Sequence, residues 1–122
     1  MRDSNDRRKA KRVALFDEFP VLDSRSGDSV GYIRDISSNG CRIGGEWSAM
    51  VDHTYQLAIV FPEPIVGEKV LKLEATCRWH TYNASRGYHE AGFQFGKLAM
   101  LEAYLLQQIE TEYEFCVSES GH

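Results

Sequence analysis

Apolar and polar residues alternate through most of this chain, in short runs broken by turn signals. The cleanest run places Leu71, Leu73, Ala75, Cys77 and Trp79 on one side and Lys72, Glu74, Thr76, Arg78 and His80 on the other, the period of a half-buried strand. Tyr55, Leu57, Ile59 and Phe61 alternate in the same way. Val30 to Ile36, Cys41 to Glu46 and the Ala91-Phe93-Phe95 run read as further strands. The stretch from Val13 to Leu22 is mixed, and Pro20 marks an edge or a bulge. Ser24 to Ser29 is a turn, Pro62 to Gly67 a loop and Asn83 to Gly87 a hairpin loop. Ser38-Asn39-Gly40 reads as a turn because Asn and Gly tolerate positive φ. From Lys97 to about Phe115 the period changes: Leu98, Leu101, Leu105, Ile109 and Tyr113 recur at helical spacing. The pattern therefore predicts a mainly β protein, a six-stranded antiparallel β-barrel followed by one C-terminal helix.

Composition leaves this picture in place. A chain of 122 residues with 43% apolar and 26% charged side chains suits one soluble domain. No apolar run approaches the roughly 20 residues of a membrane helix. The charged start lacks the hydrophobic stretch of a signal peptide, so the expected compartment is the cytosol and no membrane insertion is expected. Cys41, Cys77 and Cys116, far apart and odd in number, read as reduced thiols.

Charge does change it. Residues 1–12 carry a net +4 and the remainder a net −8, which together make the overall −4. The expected layout is a flexible basic arm, 1–12, on an acidic body, 13–122. Such a body repels a phosphate backbone, which argues against a nucleic-acid-binding surface. A local anion site at the arm is compatible with it.

Two stretches carry candidate chemistry. Arg8 and Arg12 are four apart, as are Arg7 and Lys11. That spacing puts two side chains on one side of either a helix or a strand. Two guanidinium forks side by side can clamp phosphates or a guanine O6/N7 edge. The plainer reading is a solvated basic tail. In RDISSNGCRI, Asp35 and Ser37 share a face at a strand end. A carboxylate can accept from the Watson–Crick edge of guanine, and Gly40 permits close backbone approach. The plainer reading is a hairpin whose Asp and Ser satisfy local amides.

Taken in order, R-x-x-x-R (Arg8 to Arg12), a strand and D-x-S-x-x-G (Asp35 to Gly40) closely resemble the signature of the PilZ domain family, bacterial receptors for cyclic di-GMP. Cys77-Arg78-Trp79 is similar to that family's Val-x-Trp region, and Gly92-Phe93-Gln94-Phe95 to its Gly-Val-x-Phe strand. The resemblance runs from about Arg7 to Leu106, and no motif residue departs from the pattern. It implies that Arg8 and Arg12 grip guanine Hoogsteen edges and phosphates, with Arg7 adding contacts. It implies that Asp35 and Ser37 bind guanine while Gly40 shapes the loop. Alternation makes Trp79 a core residue, with a position bordering the site as the alternative. The implied ligand is cyclic di-GMP, with no further cofactor. The implied output is a changed surface offered to a downstream effector protein.

Other classes draw less support. His80 and His89 can face each other across one hairpin, but two histidines do not make a metal site. Asp35 and Glu90 are a conceivable carboxylate pair that nothing in the sequence brings together. No nucleophile triad or Walker-type loop occurs, so no enzyme activity is expected. A nucleotide-independent interaction module of the same fold is the nearest alternative. The acidic C-terminal end (Glu110, Glu112, Glu114, Glu119) reads as a solvated helix end and tail, or as a resting place for the basic arm.

Overall fold

The computed structural model describes residues 11–115; Arg7, Arg8, Cys116 and Glu119 lie outside them. Six strands close a barrel: β2 (Pro20–Asp23), β3 (Ser29–Ile36), β4 (Gly40–Gly45), β5 (Thr54–Ile65), β6 (Glu68–Asn83) and β7 (Tyr88–Phe95). Their order around the barrel is β2-β3-β4-β7-β6-β5, and every pair is antiparallel. Closure comes from β2, which pairs with β3 on one side and with β5 on the other, so the barrel has no open edge. The alternating apolar residues fill the interior, among them Val21, Val30, Ile33, Leu57, Ile59, Leu71, Leu73, Ala75 and Cys77.

The polypeptide between Pro62 and Gly67 is not all loop. Strand β5 continues to Ile65, and β6 begins at Glu68. Pro62 and Pro64 lack an N–H, but they sit where the β5–β6 ladder lapses between Val60 and Ile65, so no ladder bond is lost.

The helix, α1 (Met100–Glu112), is shorter than its apolar period. Its N-cap is Ala99, whose N–H donates to Glu102 Oε1 at 2.8 Å. It buries Leu105, Leu106 and Ile109, while Leu101 is exposed. Tyr113 continues the spacing but not the helix. Residues Tyr113–Phe115 form β8, which pairs in parallel with β1 (Arg12–Ala14). Burial fixes this switch to strand: the Tyr113 and Phe115 rings pack 4.9 and 5.2 Å from Phe19, which is itself in the core. Arg12, the last residue of the basic stretch, and the two residues after it are thereby stitched to the segment that follows the helix.

Besides the register shifts between Val21 and Leu22 on β2 and between Val60 and Ile65 on β5, two β-bulges shape one side of the barrel. One lies between Ile33 and Asp35 against β4, the other between Cys77 and Trp79 against β7. A bulge inserts one extra residue, so the residues on either side of the step no longer alternate between faces. Arg34 and Asp35 both lie outside the barrel, Arg34 with its stem over Gly44. Arg78 and Trp79 likewise both lie outside.

Candidate functional site

The bulges correct one sequence expectation directly. Trp79 is not core: it is 41% exposed. Alternation from Leu71 to Cys77 is intact, and the extra residue at Arg78 turns the next side chain outward. The indole lies across Gly92 on the neighbouring strand. A Cβ at Gly92 would fall inside the van der Waals envelope of Trp79 Nε1 and Cε2. Only glycine leaves room for the ring there.

Trp79 borders an open pocket of about 800 Å³ on the outer faces of β3, β4, β7 and β6. Asp35, Ser37 and Gly40 line the same pocket, with Arg42, Arg78 and Gln94. Strand register explains the grouping. Asp35 is opposite Arg42, Arg42 opposite Gly92, and Gly92 opposite Trp79, so one row crosses four strands. Asp35 and Ser37 face outward while Ile36 between them is buried, as their spacing predicts.

The β3–β4 hairpin has a tight internal hydrogen-bond set. Asp35 Oδ1 accepts from the Ile36 N–H at 3.0 Å, and Ser37 Oγ accepts from the Asn39 N–H at 3.2 Å. The local role of these two side chains is therefore present. Each keeps acceptor capacity beyond it. The expected positive φ at Asn39 or Gly40 is not found. Gly40 is needed for a different reason: a Cβ there would strike the Phe93 carbonyl oxygen across the β4–β7 pair. The Phe95 N–H donates to the Asn39 carbonyl at 2.9 Å, which ties the hairpin to β7.

The pocket's charges differ in how far they are neutralised. Arg42 Nη1 donates to Glu90 Oε2 at 3.0 Å, with both side chains largely shielded. Glu90 is thus committed to Arg42 rather than paired with Asp35. Arg78 Nε donates to the neutral Gln94 Oε1 at 2.8 Å. Beneath the hairpin, burial pushes the Cys41 thiol up, and the Asp35 carboxylate adds to the effect.

Arg12 is not among the residues lining the pocket. It donates to Glu63 Oε1 at 2.5 Å and to the Tyr113 hydroxyl at 3.4 Å. The bond to Glu63 raises the Arg12 pKa further, and the bond from Arg12 holds the Glu63 carboxyl below the usual glutamate value. Glu112 adds a smaller attraction for Arg12. Glu63 and Tyr113 were not legible as partners in the sequence: one lies in a proline-flanked stretch, the other at the end of a helical period. His80 and His89 do meet across the β6–β7 hairpin, Nε2 to Nδ1 at 2.8 Å. Among the described residues no three or more His, Cys, Asp or Glu side chains cluster as metal ligands. No helix among them is long and apolar enough to cross a membrane.

The described residues form a closed antiparallel barrel with an open outer pocket around an Asp-x-Ser hairpin. The PilZ domain model matches residues 6–110, and the chain belongs to that family. It is a family of cyclic di-GMP receptors, a binding and not a catalytic class. Among solved structures, the chain is similar to the Bacillus subtilis inhibitor of motility (MotI/DgrA), with a TM-score of 0.58 and 15% identity. The match covers 74% of this chain and 43% of that one, so the chain spans less than half of that neighbour's length. At this identity the likeness is one of fold. No curated protein matches the sequence.

Proposed function

We propose that this protein is a bacterial, cytoplasmic cyclic di-GMP receptor that acts as an adaptor. The observation that carries this reading is the shared pocket: Asp35, Ser37 and Gly40 of one hairpin and Trp79 of a strand distant in sequence line one open face of a PilZ barrel. Asp35 and Ser37 take a guanine, and Trp79 offers an aromatic surface beside it. Arg7, Arg8 and Arg12 close over the ligand from the arm, gripping phosphates and guanine Hoogsteen edges. Ordering the arm costs about 1–2 kcal/mol of backbone entropy per residue, so several charge-assisted bonds to a dianion are required. Arg12 must also leave Glu63 and Tyr113. Because β1 is paired with β8, that exchange reaches the end of α1 and alters the surface offered to an effector protein.

The test is calorimetric titration with cyclic di-GMP, alongside GTP, cyclic GMP and an Arg8→Ala/Asp35→Ala double mutant. Saturable binding lost in the folded mutant supports a receptor, and stoichiometry tells one ligand from a stacked pair. Absence of binding to folded wild-type protein sinks the receptor function.

A second reading is a nucleotide-independent interaction module. It is favoured by the engagement of Arg12 with Glu63 and by the hairpin bonds of Asp35 and Ser37. In that case Arg8→Glu leaves the partner interaction intact.

A further inference from the structure

Arg78 belongs to neither half of the arginine and aspartate signature, yet the bulge in β6 sets it beside Trp79 on the pocket face. The charged residues lining the pocket are Asp35, Arg42 and Arg78. Two of these three are positive, on a body that is otherwise acidic. Arg42 is neutralised by Glu90 at 3.0 Å, in a pair whose side chains are only 24% and 19% exposed. Arg78 is not neutralised to that degree. Its carboxylate neighbour, Asp52, is 3.7 Å away and 79% exposed, so water screens the attraction.

Arg78 is also pre-oriented. Its Nε–H is held by Gln94 Oε1 at 2.8 Å. A guanidinium has five N–H donors in one rigid fork, and this bond fixes the plane while the terminal nitrogens, of which Nη1 lies 3.7 Å from Asp52, keep donors for another acceptor. Gln94 is neutral, so it orients the group without cancelling its charge. The pairing is anchored by backbone, since Thr76 and Gln94 are register partners on β6 and β7.

We propose that Arg78 is a ligand-binding residue of the barrel itself, donating to a phosphate of the cyclic dinucleotide, with Gln94 as its positioning residue. This rests on the receptor function proposed above. It assigns the anion two separate holds: the arm from outside and Arg78 from the barrel face. The pocket then attracts the dianion before the arm closes, because Arg78 stands on a paired strand.

The experiment is titration of full-length wild-type, Arg78→Met, Arg78→Lys and Gln94→Leu proteins with cyclic di-GMP at several salt concentrations. Arg78→Met keeps much of the side-chain bulk, and its thermal midpoint checks the fold. Loss of one charge-assisted bond is expected to raise Kd about 10- to 100-fold. The salt dependence is expected to become shallower, because one charge facing a dianion has gone. Arg78→Lys keeps the charge but not the fork, so its salt dependence stays near wild type at weaker affinity. Gln94→Leu weakens binding less than Arg78→Met and retains the wild-type salt dependence. Wild-type Kd and salt dependence in Arg78→Met overturn the assignment while leaving the receptor function standing. A higher Kd with unchanged salt dependence overturns the phosphate contact. Wild-type protein that binds no cyclic di-GMP overturns the receptor function and, with it, this inference.

Discussion

Substituting Gly92 by alanine tests the geometry of the site through one added methyl group. The new Cβ would lie 2.8 Å from Trp79 Cδ1 and nearer still to Nε1 and Cε2. Non-bonded heavy atoms rest at about 3.5–4.0 Å, so the indole must move by roughly 1.5 Å or swing off the strand. It can move, because it is a side chain with open solvent on its outer side. A fully buried aromatic covers roughly 150–250 Å². Trp79 is 41% exposed, which leaves three-fifths of its surface in contact. Complete loss of that contact amounts to about 2–4 kcal/mol at ~25 cal/mol per Å², and a displaced ring that keeps part of it loses about 1–2 kcal/mol. The protein therefore stays folded with a lower thermal midpoint. Tryptophan emission should shift to the red, because Trp79 becomes more hydrated while Trp47 remains packed 4.9 Å from Tyr55. Affinity for cyclic di-GMP should fall as far as in Trp79→Ala, and the double mutant should fall no further, since both changes remove one contact. An unchanged midpoint and emission spectrum would refute the seating of Trp79 on Gly92. Additive losses in the double mutant would refute a shared role in binding.

Four further outcomes follow from the same structure. Gly40→Ala should cost more stability than Gly92→Ala in chemical denaturation, because its Cβ meets the Phe93 carbonyl, which cannot swing away without parting β4 from β7. Glu63→Gln should tighten cyclic di-GMP binding in calorimetry by releasing Arg12; weaker binding would show that the pair organises the site instead. The lowered Glu63 pKa means that its contribution to stability is complete above the ordinary glutamate value and is lost as pH falls through the lowered one; in Arg12→Gln, an NMR titration of the carboxyl should move up. Cys41 and Cys77, both buried and with thiols pushed up chiefly by burial, should resist alkylation at pH 8 in native protein and react on unfolding, as read by peptide mapping.

Much of this protein is determined locally and is therefore legible in the chain. Strands such as Leu71 to Cys77 announce themselves because one side chain in two must leave water. Asp35 and Ser37 share a face for the same reason, and the spacing of Leu105 and Ile109 marks the helix. What escapes local reading is whatever depends on a partner strand. A bulge is one residue too many relative to a neighbour, so alternation along β6 alone sends Trp79 inward, while pairing with β7 sends it out. Gly40 and Gly92 look like turn and strand glycines until Phe93 and Trp79 are found where their Cβ atoms would be. The end of α1 is set by Phe19, which draws Tyr113 and Phe115 into a strand beside β1. The same fold brings Arg12 to Glu63, 51 residues away, and to Tyr113, 101 residues away. Side-chain periodicity reports the environment of each residue along its own strand or helix. Barrel closure decides which distant strands and side chains become neighbours, and so which residues the pocket gathers and where Arg12 rests.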